Sequence, residues 1–439
     1  MMRMENLGRY TDIVRDTDLV TRSGRVSDCH GLIIESVGPL AHIGEICEIQ
    51  PQFTDLPVQA EVVGLRAGKV LLMPYSDLRG VGGGSEVVAR GQSPGICVGD
   101  GLLGRVIDAF GKPMDSKGPI ASEKNYPIRP HPINPLSRLP IKDVVHTGVK
   151  AVDGFLTIGK GQRIGIFSGS GVGKSTLLGM IARNVDCDLA VIALVGERGR
   201  EVPEFIEKNL GERGLQRSVV VVATSDQPAL TRTRAAFAAT AIAEYFRDRG
   251  KNVLLIMDSV TRFAMAQREI GLAIGEPPTA RGYTPSVFSL LPALLERCGT
   301  SISGGSITAL YTVLMEGDDP HDIMVDTLRS ILDGHIVLSR EQANHGQYPA
   351  IDLLASISRL MPVIISGEEY QLVQRALSLL GTYQRNRDMV ELGAYKAGTN
   401  VEIDRAIQFF PKIQELLCQG RDVAVSRQQV IANLSSILA

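Results

Sequence analysis

The sequence predicts an α/β chain in which a mainly parallel central sheet is preceded by a small β-barrel and followed by a helical domain. The sheet is read from apolar runs rich in branched residues at 163–167, 189–195, 219–223, 253–257 and 307–313, interleaved with helical segments. These runs are continuous rather than alternating, the mark of strands buried on both faces beneath flanking helices. The barrel is read from shorter apolar runs punctuated by glycine, among them Leu32-Ile33-Ile34, Ile46-Cys47-Glu48-Ile49 and Val70-Leu71-Leu72. The helical domain is read from the end of such runs at Met361. There Ser366 and Glu369 have the spacing of a capping box, and Tyr370, Val373, Leu377 and Leu380 continue a helical stripe.

A length of 439 residues allows two or three packed cores, and 44% hydrophobic with 21% charged residues describes a multidomain globular protein rather than a disordered one. A net charge of −2 supplies no global field for nucleic acid, so bulk nucleic-acid binding is disfavoured. The six cysteines are scattered without a CxxC pair, which argues against zinc and disulfides and fits a reducing compartment. The start lacks the apolar core of a signal peptide, and no window approaches the ~18 apolar residues of a membrane span. The expectation is a cytoplasmic protein, with peripheral membrane attachment left open.

Taken in order, residues 1–20 place Leu7, Tyr10, Ile13 and Val14 at helical spacing, either a short amphipathic segment that docks on a partner or a frayed terminus. Residues 21–90 are the barrel. Its few aromatics, Phe53 and Tyr75 after Tyr10, are too sparse for a base-stacking platform, so it reads as an assembly module. Residues 91–362 form the central domain. Five prolines from Pro127 to Pro140 exclude helix and central strand there and mark a linker over 126–145. Residues 363–439 are the helical domain.

The run Ser168-Gly169-Ser170-Gly171-Val172-Gly173-Lys174-Ser175 follows a buried strand and precedes a helical stretch beginning at Thr176. That context identifies a P-loop: glycines let backbone N–H groups converge on phosphate oxygens, at the positive end of a helix. Lys174 would reach the β and γ phosphates of ATP and the Ser175 hydroxyl would ligate magnesium. Ser168 stands where the usual pattern begins with glycine, and being small it should leave the loop intact. Asp258, directly after the run 253–257, is positioned to hold the magnesium through water. Hydrolysis also needs a group that orients or deprotonates water. Glu197 is favoured because it is nearest a strand end, and Glu201 is the competing candidate.

Other signposts are Gly104-Arg105-Val106-Ile107-Asp108, His146-Thr147-Gly148-Val149-Lys150, Val195-Gly196-Glu197-Arg198-Gly199-Arg200-Glu201 and Arg281-Gly282-Tyr283-Thr284-Pro285-Ser286. With the P-loop they resemble the ATPase of bacterial flagellar and type III protein export, a relative of the catalytic subunit of rotary ATP synthases, with a RecA-like central domain. The resemblance implies that Glu197 activates water, that Arg198 approaches the γ-phosphate, that Glu201 is structural, and that Tyr348 stacks on adenine. It makes Arg359 an arginine finger inserted into a neighbouring subunit, and so implies a homohexamer. Gly275-Glu276-Pro277-Pro278 and Arg281-Gly282-Tyr283 resemble loops lining the ring's central hole, where a coiled-coil stalk protein would be met. The other implied partners are a stator-like regulator at the N-terminus, the export gate, chaperones and export substrates, at the inner face of the cytoplasmic membrane.

Flagellar use is favoured over virulence secretion on Glu316-Gly317-Asp318-Asp319 and Ala355-Ser356-Ile357-Ser358-Arg359. The alternatives are a proton-translocating ATP synthase catalytic subunit, a non-catalytic ring subunit, and a Rho-like RNA translocase. The presence of Glu197 weighs against the second. The third is disfavoured by sparse aromatics and the lack of a basic stripe.

Overall fold

Strands β1 (Arg22–His30), β2 (Ile33–Val37), β3 (Ile46–Gln50), β4 (Val58–Arg66), β5 (Lys69–Pro74) and β6 (Glu86–Ala89) close into a barrel in the order β1-β2-β5-β4-β3-β6, with β6 pairing back to β1. Closure leaves no exposed sheet edge. The structure, a computed structural model, describes residues 21–52, 56–91, 94–130, 133–315 and 322–439. The segment 1–20 and Glu316-Gly317-Asp318-Asp319 lie outside the described residues.

The period of a strand explains how the barrel is fixed to the rest. On β5, Val70 and Leu72 face the barrel interior with Ile34, Ile49 and Val87. Leu71 and Met73 point the other way, into a second cluster with Tyr75, Leu230, Ala266 and Ile270. A strand apolar on both faces is thus half barrel core and half domain interface.

The central sheet contains β7 (Arg105–Ile107), β8 (Arg163–Ser168), β9 (Leu189–Val195), β10 (Ser218–Ala223), β11 (Asn252–Asp258), β12 (Ser306–Leu314), β13 (Gly334–Leu338) and β14 (Ile351–Ser358), in the order β14-β13-β8-β12-β11-β9-β10-β7. All these pairs are parallel except β13 with β14. Every residue of β9 and β10 is buried, as continuous apolar runs require. One face carries α2 (Ala229–Asp248), α3 (Val260–Ile274), α4 (Pro285–Leu295) and α5 (Ile323–Ile331). The other carries α1 (Lys174–Asn184) and meets the C-terminal helices α6 (Gly367–Glu391), α7 (Val401–Leu417) and α8 (Arg427–Leu438).

The capping box predicted at the start of α6 is present: Glu369 N donates to Ser366 Oγ at 3.2 Å and Ser366 N to Glu369 Oε2 at 3.4 Å. The same carboxylate pairs with Arg427 of α8 at 2.9 Å, so one residue starts a helix and ties two together. No helix among the described residues is long and apolar enough to cross a membrane.

Candidate active site

Parallel strands deliver their following loops to a common edge of the sheet, and the loop 168–175, Glu197 and Asp258 meet there. β8 ends at Ser168, and α1 opens at Lys174. Between them Gly171 (φ 78°) and Gly173 (φ 88°) take the left-handed backbone that only glycine adopts freely, which folds the chain back onto the helix start. The loop borders a cleft of about 770 Å³ that includes Gly169, Ser170, Ser175 and Thr176. Val172 differs from its neighbours: its side chain is 2% exposed and belongs to the core, so only its backbone is available to a ligand. Ser168 is fully buried and its hydroxyl has no hydrogen-bond partner among the described residues.

Lys174 Nζ donates to Asp258 Oδ1 at the end of β11 and lies 3.5 Å from Glu197 Oε1 after β9. Burial opposes the lysine charge, but Asp258 and then Glu197 outweigh it and hold the pKa above the ordinary lysine value. Asp258 Oδ1 also accepts from Thr312 Oγ1 of β12 at 2.7 Å, which fixes the carboxylate. Glu197 titrates above the ordinary carboxylate range. Burial raises its pKa, Lys174 pulls it down, and the negative charge of Asp258 raises it again.

The two acid candidates occupy different surroundings. Glu197 is 8% exposed beside Lys174. Glu201 stands at the cleft rim, half-exposed, 3.6 Å from the guanidinium of the exposed Arg198. Gly196 (φ 71°) makes the turn possible: a Cβ there would meet Arg262 Cβ at 2.8 Å. Arg262 lines the same cleft, as does Arg421. Neither arginine, nor Thr312, was picked out from the sequence. Arg262 had a signal in its place four residues after Asp258; the other two come from distant segments and had none.

Ser175 and Asp258 offer hard oxygen donors, and among the described residues no cluster of three or more His, Cys, Asp or Glu forms a closed metal cage. This donor set fits an ion like magnesium, which keeps several waters and takes the rest of its ligands from phosphate.

Residues 148–358 match the ATP synthase alpha/beta family, nucleotide-binding domain, residues 26–91 its beta-barrel domain, and residues 365–436 the T3SS EscN ATPase C-terminal domain. A flagellum-specific ATP synthase of Bacillus subtilis (strain 168) is 54% identical over 433 residues, 97% of each chain. The chain belongs to the flagellar and type III secretion ATPase family. The assembled ATPase EscN of enteropathogenic E. coli has the same fold, with TM-score 0.90 and 45% identity over 95% of this chain and 100% of that one. EscN in complex with its central stalk EscO matches with TM-score 0.87, 45% identity and the same coverage.

In this export-ATPase chain the Tyr348 ring is half-exposed and lies 3.9 Å from where a Cβ on Gly173 would sit, so it flanks the P-loop. Gln419 N donates to Tyr348 O at 2.8 Å, tying it to the segment after α7. Arg359 is elsewhere. Its N–H donates to Asp333 O at 3.0 Å, and Asp333 N donates to Arg163 O at 2.9 Å, at the first residue of β8. The P-loop follows the last residue of β8, roughly 17 Å away at ~3.3 Å per residue. That is well beyond the reach of an arginine side chain, so Arg359 does not serve the cleft of its own subunit.

One expectation is corrected. Tyr283 is 6% exposed, its ring edge-on to Phe288 and covered by Arg268. Buried as it is, it presents nothing to a partner; Pro277, Pro278, Thr279 and Ala280 form the exposed tip of that loop.

Proposed function

We propose that this chain hydrolyses magnesium-bound ATP to energise flagellar protein export, acting as a homohexameric ring whose sites are each completed by Arg359 of an adjacent copy. The supporting observation is the split of the machinery: Lys174, Asp258 and Glu197 meet at one edge of the sheet and Arg359 stands at the other. A single chain therefore carries the two halves of two different sites.

Lys174 exchanges the Asp258 carboxylate for the β and γ phosphates. Asp258, held by Thr312, would then be available to hold water around a magnesium ion, and the Ser175 hydroxyl would be the ligand this chain supplies to it. Magnesium so held would neutralise charge on the phosphates. Glu197, with its raised pKa and with Oε1 facing Lys174, orients or deprotonates the attacking water. Arg198 at the rim approaches the γ-phosphate, and Tyr348 stacks on adenine. Arg359 stabilises charge on the transferred group from across the subunit boundary.

The flagellar reading is preferred to a virulence one because two flagellum-specific relatives reach 54% and 50% identity, against 48% for the type 3 secretion system ATPase of Xanthomonas euvesicatoria. A stalk protein in the ring centre would meet the tip 277–280. Export gate, chaperones, cargo and an N-terminal regulator are the remaining partners, with the ring peripheral at the inner face of the cytoplasmic membrane. The test is ATPase rate per subunit against protein concentration, with oligomer size followed by light scattering. The rate should climb as rings form. A full rate in dilute monomer would overturn the ring reading.

A further inference from the structure

The loop between α3 and α4 and the Arg359 side chain are joined by one helix. Asp322 is the N-cap of α5: its Oδ1 accepts from Met324 N at 2.7 Å, and its Oδ2 is ion-paired with Arg281 of the loop. Asp322 is 8% exposed while the Arg281 side chain reaching it is nearly half-exposed, so the carboxylate, not the guanidinium, is the sheltered member of this charged hydrogen bond. Arg281 has φ 54°, a left-handed backbone that costs a non-glycine residue energy and is held here by its surroundings.

At the far end of α5, the backbone carbonyls of Arg329 and Leu332 accept from Arg359 Nη2 at 3.0 Å and Nη1 at 3.2 Å. Helix C-termini leave such carbonyls without intrahelical partners and favour a cation beside them. Between the two ends Met324, Val325 and Leu328 are locked in the core at 2%, 1% and 0% exposure. A packed helix of nine residues, about 13 Å long at ~1.5 Å per residue, shifts as a unit rather than bending.

We propose that Arg281 and Asp322 are positioning residues for the Arg359 finger, acting through α5, so that displacement of the exposed loop tip in one subunit alters hydrolysis in its neighbour. This rests on the reading of Arg359 as acting in trans. The loop tip is where a central partner would press, and α5 is a short rigid path from it to the guanidinium.

The experiment is a double-mutant cycle in assembled full-length rings. Asp322→Asn keeps a side chain able to cap α5 while removing the charge that holds Arg281, and Arg281→Ala removes the pair from the other side. Each should lower kcat about 10- to 100-fold, the scale of a small misplacement of a catalytic group, with KM for ATP unchanged. In an Arg359→Ala background neither should lower the remaining single-turnover rate further, because the group they position is gone. Losses that multiply in that background, or an Asp322→Asn ring with native kcat, would overturn the positioning role while leaving the finger intact. An Arg359→Ala ring hydrolysing at the native rate would overturn the finger and this inference together.

Discussion

Glu197 Oε1 lies 3.5 Å from Lys174 Nζ, is buried, and accepts no hydrogen bond among the described residues. A buried carboxylate oxygen left unsatisfied costs stability, and a carboxyl whose pKa is raised by burial is a base closer in strength to what proton transfer at neutral pH demands.

Glu197→Gln should therefore lose turnover by about 10²- to 10⁴-fold, the usual contribution of a positioned general base, while still binding ATP. It should also melt at a higher temperature than the native chain near pH 7. The folded pKa of Glu197 lies above the ordinary glutamate value of 4.5. The folded state then binds the proton more tightly than the unfolded one, and native stability falls as pH rises from 4.5 through the raised pKa. Glutamine does not titrate, so the gain should be absent below that window and complete above it. Melting curves at several pH values check the sign, and the acid limb of kcat/KM in the native enzyme should also lie above 4.5.

Ser168→Ala removes a fully buried hydroxyl that nothing among the described residues pairs with. The substitution should stabilise the fold by about 1 kcal/mol, the low end of the penalty for such a group, and leave kcat within about twofold. A large loss of activity would instead assign the hydroxyl a contact with the nucleotide. Chemical denaturation and steady-state kinetics together decide it.

Tyr348→Ala should weaken ATP binding with little change in kcat, because the ring flanks the loop at Gly173 rather than the side of the cleft where Glu197 stands. Base stacking on an aromatic side chain is worth ~1–3 kcal/mol, so Kd should rise about 5- to 150-fold, and Tyr348→Phe should restore it. Since stacking reads no base edge, GTP affinity should fall in parallel. Calorimetric titration of both nucleotides measures this.

Much of this site was legible because its parts are local. The strand runs were read to within one residue of β8, β9, β10, β11 and β12, since unbroken branched residues have few other uses. The loop and its lysine are contiguous, and Asp258 and Glu197 each end or follow a strand. What stayed hidden depends on register and packing. β13 and β14 escaped notice because their burial is broken by more exposed positions such as His335 on β13 and Leu354 on the edge strand β14. Thr312 meets Asp258 only because β11 and β12 are paired in parallel. Tyr283 sits in a proline-rich stretch that reads as exposed, yet Phe288 and Arg268 enclose it.

Arg359 supplies the last prediction. Among the described residues its guanidinium bonds to carbonyls at the end of α5, and it is exposed, so Arg359→Lys should cost the isolated chain little stability and leave ATP binding untouched. A lysine keeps the charge but loses the planar fork that holds two carbonyls and an anion at once. If the residue acts across a subunit boundary, the variant should still assemble, and its rate should stay near that of the dilute monomer at every concentration. In assembled rings the shortfall from native should approach the ~10³- to 10⁵-fold worth of an arginine finger. A variant whose rate still rises with assembly as the native rate does would mean that the neighbour contributes something other than this side chain.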